Sequence, residues 1–586
     1  MKKLLPLLAL LIVVTSAVEA GSLKLGRSYK DESNGFRINP PRKWEMVPTK
    51  FQEVSIVGKW ATNRAKQGFP EQLFVLRFLK GKVENAANPQ EALKRGIPGY
   101  GAMLRFQPKD VWQYIERNYR FNGISKSAII EDDPEFRLKS KKFKAHFRIY
   151  KAPLRGGADE KDRGVAARRT VIVAAAIDSV AEGDSSFGVF YVVSDLMLGD
   201  YLAGMKASIR GFRIVDDDDE AEEGEEDISD ADLFVDSTKK PEAWRNARKA
   251  KLIPGWKAID TENYLIVYNS EVKRQLIKQV AKHIEAIRKQ VYEPMFPSQS
   301  RITAISVVRV CKDRAEYHRY GGPGGSAGYW SRGDEELVFY QDKSNKKDSL
   351  RVLYHEAFHQ YIHYAVGNVA PHSWFNEGHG DYFAGHNYRS GKFKSDVFRW
   401  RTGIIANALA QGRQYKLSKF LTMTQGEYYS DPSLCYAQGW SFVYFLREVE
   451  RRKIKRYSQY FGLLDKYFDA IKRNVQKVKD KGLEGLNPEP AQPTPVPEEA
   501  APTVKAKPTL PRPPGLENPF PGEHPLAGAG ESVGGGAKTE RRSGETKTVS
   551  GPQFKGIRGG LDAAVVEAFK GIDLEQLEKD WIEFSK

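Results

Sequence analysis

Ser349-Leu350-Arg351-Val352-Leu353-Tyr354-His355-Glu356-Ala357-Phe358-His359-Gln360-Tyr361-Ile362 decides how the second half of this chain is read. Leu350, Leu353, Ala357, Tyr361 and Ala365 recur at helical spacing, so the stretch is expected to be an amphipathic helix. Asp348 or Ser349 can cap its start, and Gly367 followed by Pro371 closes it. His355 and His359 are four apart and project from one face, a turn from each other. Two imidazoles so placed can bind one zinc ion through their nitrogens at ~2.0–2.1 Å. Glu356, the next residue round the helix, can approach a metal-bound water without ligating the metal itself.

A third ligand must come from a neighbouring element. Trp374-Phe375-Asn376-Glu377-Gly378-His379-Gly380-Asp381-Tyr382-Phe383 is the obvious source. Its aromatic residues suggest a second helix packed inward. Gly378 and Gly380 would permit close approach to the first helix. Glu377 and Asp381 share a face, and Glu377 is assigned as the metal ligand. Asp381 is then expected to accept a hydrogen bond from the far nitrogen of His355 or His359.

With both segments in view, the sequence resembles the gluzincin, or peptidase MA-like, metallopeptidases, and is most similar to the bacterial DUF1570 family. The resemblance runs from about Trp256 to Gly482 and resumes at the C-terminal helix; the helix pair is its specific part. It implies a zinc ion held by His355, His359 and Glu377, with Glu356 as general base. Asp381 fills the acid position that follows the ligand Glu, with a shorter side chain than usual. Several helices and a small sheet edge are implied as well. Tyr436-Ala437-Gln438-Gly439-Trp440 opens a third apolar helix, as similar segments do in gluzincins. Tyr436 could supply a phenol to the oxyanion, or could simply pack.

The other histidines fit this scheme less well. His363 extends the series by four more residues, but Gln360-Tyr361-Ile362 continues the helix without the glycine turn that a three-histidine site needs, so a structural role is expected. His372, His379 and His386 are spare candidates. Leu337-Val338-Phe339-Tyr340 reads as an edge strand beside which an extended peptide could lie, and the glycine-rich Gly321–Gly328 loop could border the cleft. Cys311 and Cys435 could pair in an oxidising compartment, although two buried thiols are the more economical reading.

Working outward, 586 residues exceed one ordinary core. The fold class expected is α+β: an N-terminal α/β domain over residues 22–214, then a mostly helical catalytic domain with a small sheet over 241–487. Gly35-Phe36-Arg37-Ile38-Asn39-Pro40-Pro41-Arg42-Lys43-Trp44 weakly resembles the start of PsbP/Mog1-like domains. Asp216 to Asp227 is almost wholly acidic and lies in an expected linker over 215–240. Residues 488–555 are rich in Pro, Gly, Ala, Glu and Lys and are expected to be a disordered insert. Residues 556–586 recover apolar periodicity, with Asp573 as a cap, and should end the catalytic domain.

Lys2 and Lys3, the apolar run Leu4 to Val14 and Val18-Glu19-Ala20 read as a signal peptide over 1–20. A secreted or periplasmic protein is therefore expected, with no integral membrane segment after cleavage. The net charge of +17 comes without a nucleic-acid motif, so a basic solvated surface is expected and no nucleic-acid partner. The functional expectation is a zinc metallopeptidase acting on a peptide or protein through a zinc-activated water. Its alternative is a catalytically inactive, gluzincin-like binding protein of the cell envelope. Oligomeric state is not encoded in these motifs.

Overall fold

The computed structural model describes residues 22–50, 53, 55–62, 71–79, 108–119, 129–152, 170–179, 185–215, 241–298, 301–331, 334–367, 369–484 and 552–585. The expected signal peptide, nearly all of the acidic linker and nearly all of the Pro/Gly-rich insert lie outside them. The chain forms two compact units, divided between Glu226 and Asp227. Both helices and sheets are present, in an α+β fold.

The first unit is built on β3 (Glu45–Met46), β4 (Ile56–Ala61), β5 (Gln72–Leu79), β6 (Ile129–Asp133), β7 (Phe143–Lys151), β8 (Thr170–Ser179) and β9 (Ser185–Ser194). They form one sheet in the order β3-β4-β5-β9-β8-β7-β6, antiparallel throughout. The central strands are continuously apolar because both sheet faces are covered. Ile172, Ala174, Phe190 and Val192 pack on Val111 and Ile115 of α1 (Val111–Tyr119). Val171, Val173, Val189 and Tyr191 pack on Met205 and Ile209 of α2 (Asp195–Arg210). A small sheet of β1 (Tyr29–Asp31), β2 (Phe36–Ile38) and β10 (Arg213–Ile214) adds Phe36 and Ile38 to that second face.

The second unit opens with α3 (Pro241–Ala250) and carries a sheet of β11 (Trp256–Asp260), β12 (Tyr264–Asn269), β13 (Ser306–Cys311), β14 (Gly328–Ser331) and β15 (Glu336–Tyr340). Its order is β11-β12-β13-β15-β14; β12, β13 and β15 are parallel, and the two outer strands are antiparallel to their neighbours. Here the structure corrects one expectation. Leu337–Tyr340 lies inside the sheet, and the edge is β14, which the glycine-rich loop feeds directly. Gly328 carries no side chain to reveal the strand, so periodicity did not show it. Helix α4 (Arg274–Ile287), which continues into a π turn at Arg288–Tyr292, and α5 (Arg314–Tyr320) complete the connections.

Strand β15 leads to α6 (Lys346–Ala365). The cap differs from expectation: Asn345 accepts from the Lys347 amide, so the helix starts earlier than Asp348 or Ser349. Ser349 is occupied elsewhere, accepting from the Asp342 amide. After Gly367, whose positive φ of 83° ends the helix, come α7 (Ser373–Ala384), the hairpin β16 (Asn387–Arg389) and β17 (Lys392–Lys394), and α8 (Arg399–Ala410). Two short helices, α9 (Leu417–Phe420) and α10 (Gln425–Tyr428), precede α11 (Pro432–Arg451) and α12 (Leu463–Glu484).

Helices α13 (Pro552–Ala568) and α14 (Leu574–Ser585) return to the same core. Trp581 is fully buried and donates to Ser441 Oγ at 3.0 Å. Glu578 accepts from the Leu417 amide, and Asp562 holds His372 Nε2 at 2.9 Å, just before α7. Asp573 accepts from the amides of Glu575 and Gln576, as its capping role requires. Cys311 and Cys435 are both buried and unpaired. Burial pushes the Cys311 thiol well above its usual range and Cys435 up to about 12, so both are inert.

Candidate metal centre

Helix α6 buries Val352, Leu353, Ala357, Phe358, Tyr361 and Ile362 in the core of the second unit. That packing fixes the rotation of the helix and turns His355 and His359 toward α7. The two Nε2 atoms each lie 3.2 Å from Glu377 Oε2. His355, His359 and Glu377 are the residues that could hold a metal ion among the described ones. All three are buried. A tetrahedral ion with ligand bonds of ~2.0–2.1 Å separates its ligand atoms by about 3.4 Å, so the observed spacing fits.

The outer nitrogens also face polar groups, and at His359 a hydrogen bond sets the tautomer. His359 Nδ1 donates to Asn376 Oδ1 at 3.0 Å, leaving Nε2 free to ligate. His355 Nδ1 lies 3.2 Å from Asp381 Oδ1. Burial works against a charged His359. The Glu377 carboxylate more than offsets it, with help from Glu356, and raises His359 to about 9. Burial likewise opposes charge on Glu377, but His359 and His355 hold it well below the usual carboxylate range.

Arg401, on α8, donates through Nε to Asp381 Oδ2 at 2.6 Å and is 1% exposed. Its guanidinium lies 4.9 Å from the Tyr436 ring centre, and that ring faces His355 at 6.3 Å and 22°. Tyr436 therefore buttresses His355 from a buried position. The phenol that reaches the ligand set is Tyr429, whose hydroxyl donates to Glu377 Oε1 at 2.7 Å. Changing Asp381 to Asn should weaken metal binding about 10- to 100-fold, measured by competition with a chromophoric chelator.

The glycines divide the work differently from expectation. A methyl group on Gly380 would stand 2.7 Å from His355 Cε1 and 2.8 Å from Nδ1, so Gly380 does admit the first helix. Gly378 instead meets α11, where its methyl group would stand 2.6 Å from the Gly439 carbonyl oxygen. Gly380→Ala must push the buried His355 ring aside. Overpacking of this kind costs about 1–3 kcal/mol. Expressed through His355, it should lower metal affinity about 10- to 100-fold, read in the same chelator competition.

No family model matches the chain, and no curated protein matches it. The site is therefore read from its own geometry. Glu356 is 1% exposed and sits where α6 meets the edge strand. A methyl group on Gly328 would stand 2.4 Å from Val352 Cγ1 and 3.2 Å from Glu356 Cγ. The glycine-rich loop thus borders the site through its last residue.

The remaining histidines serve the fold. His372 bridges Tyr467 and Asp562. His379 Nδ1 donates to the Phe375 carbonyl, and Arg447 Nε donates to His379 Nε2. Burial, then Arg447, holds His379 well below its usual range. His386 donates to the Tyr382 carbonyl and is pushed down to about 4 by burial. His363 packs beside Trp330 and does not join the metal group. Sequence reading missed Asn376, Arg401 and Tyr429. Only Asn376, which directly precedes the ligand Glu377, carried a local signal.

Proposed function

We propose that this protein is an exported zinc metallopeptidase of the gluzincin kind, related to the DUF1570 family, that hydrolyses peptide bonds. The carrying observation is the convergence of His355 Nε2 and His359 Nε2 on Glu377 Oε2, with Glu356 buried on the same helix. Two histidines and one carboxylate, leaving a position open, form the donor set of a catalytic zinc rather than a structural one. Zinc held there would supply Lewis acidity to the water and the scissile carbonyl.

The chain's own residues would do the rest. Glu356 takes a proton from the attacking water and returns it to the leaving amine. Asn376 holds His359 in the ligating tautomer, and the Asp381 carboxylate beside His355 Nδ1 favours the same tautomer there. Tyr429 orients the ligand carboxylate by donating to Glu377 Oε1, and Tyr436, stacked beside His355, is the phenol that could donate to the developing oxyanion. Among the described residues no strand pairs with the outer side of β14, so an extended peptide could add there beside Glu356.

Metal analysis of purified protein, alongside cleavage of a peptide library with and without a chelator, tests this reading. Stoichiometric zinc and chelator-sensitive cleavage are expected; metal-free protein that still cleaves peptides would refute it. Tyr429→Phe should weaken zinc binding about 10- to 100-fold in the chelator competition, because it releases the ligand carboxylate that the phenol holds.

A further inference from the structure

Helix α4 and the hairpin β16–β17 share a strongly basic surface. Lys273, Arg274, Lys278, Lys282 and Lys289 are exposed along α4 and its π turn. Arg274, Lys278 and Lys282 recur every four residues, a stripe with one cation per turn, roughly 6 Å apart. The hairpin adds exposed Arg389, Lys392 and Lys394. The two elements are joined: Lys282 Nζ lies 5.6 Å from the Tyr388 ring centre, and Gln290 donates to the Gly391 carbonyl at 2.9 Å.

None of these eight cations forms an ion pair among the described residues. At the margins Glu271 pairs with Lys312 and Glu293 with Arg288, and Glu285 and Asp396 leave the face a clear excess of cations.

The hairpin carries a cost that its own contacts do not explain. Ser390 and Gly391 both have positive φ, 49° and 81°, the requirement of a tight two-residue turn. That turn sets Arg389 directly opposite Lys392 in the ladder. Like charges directly opposite destabilise a strand pair. The inward partners, Tyr388 and Phe393, pack on His283 and Tyr354, so the cationic pair is on the outer side. An anion lying across the ribbon would turn this repulsion into attraction.

We propose that this face binds a linear anionic polysaccharide. The stripe favours a chain of regularly spaced charges. A lipid surface is gripped best where an apolar wedge adds to the charge, and the large apolar residues exposed among the described ones, Ile130, Leu196, Val397 and Val566, lie on neither element. Single-stranded nucleic acid would want an open aromatic platform, but Tyr388 lies beneath Lys282 and against His283.

The test compares the unaltered chain with two variants that each lose four charges. One changes Lys278, Lys282, Arg389 and Lys392 to Gln; the other changes Lys139, Lys141, Lys142 and Lys144 to Gln in the N-terminal unit. Each is titrated with heparin, alginate, duplex DNA and phosphatidylglycerol vesicles at about 0.15 M salt. The first variant should bind both polysaccharides at least about tenfold more weakly, with a shallower salt dependence, while the second binds normally. No polysaccharide binding by the unaltered chain, equal losses in the two variants, or tighter binding of DNA or vesicles than of polysaccharide would overturn the proposal.

Discussion

Glu356→Gln is expected to retain zinc and to cut peptide hydrolysis by about 10²–10⁴-fold, the usual contribution of a positioned general base. The exchange keeps the shape of the side chain and removes its ability to take a proton. Glu356 is not one of the three converging residues, so the ligand set should survive. It is also buried, so the loss is chemical rather than a change of surface charge. Zinc content and kcat measured on the same preparation decide the matter. A variant with full zinc and full turnover would remove Glu356 from the mechanism. Full zinc with negligible turnover in the unaltered protein as well would favour the inactive binding protein instead.

Zinc itself should stabilise the second unit strongly, and Glu377→Ala should abolish that effect along with turnover. Free zinc at ~1,000 times its dissociation constant adds about 4 kcal/mol to a fold that binds only when native. In a unit larger than the ~150–250-residue range each kcal/mol moves the midpoint by about 1–2 °C, so a rise of about 4–8 °C is expected in a thermal melt. Glu377→Ala removes the atom on which both imidazoles converge. Its melt should not respond to zinc. A variant that kept the full zinc-induced rise would show the ion to be held elsewhere.

How much of this was legible in the sequence depended on distance along the chain. His355, His359 and Glu377 stand on two consecutive helices, where a four-residue period fixes the face and a short connection fixes the neighbour. Runs such as Gln72–Phe78, Phe187–Val193 and Tyr264–Tyr268 read as strands because they are rich in β-branched and aromatic residues and too short for a helix. Tyr429 and Arg401 were silent because neither shares a period with the ligands. Arg401 reaches the site from α8 and Tyr429 from the end of α10, and both placements are settled by packing. The edge strand was hidden for a related reason: Gly328 is there to be small beside Glu356 and Val352, and smallness leaves no periodic mark. Asn345 was passed over as a cap because it stands in the loop, ahead of the apolar pattern.

The tie between His372 and Asp562 spans 190 positions of the chain. At a synthesis rate of ~5–20 residues per second, the ligand-bearing helices emerge about 10–40 seconds before the segment that closes beneath them. Trp581 and Leu577 fill the same core and arrive later still. A nascent chain therefore carries the histidines without the floor that holds them, and the centre is assembled last. An early-released or truncated product would bear the whole signature motif without the helices that close the core beneath it.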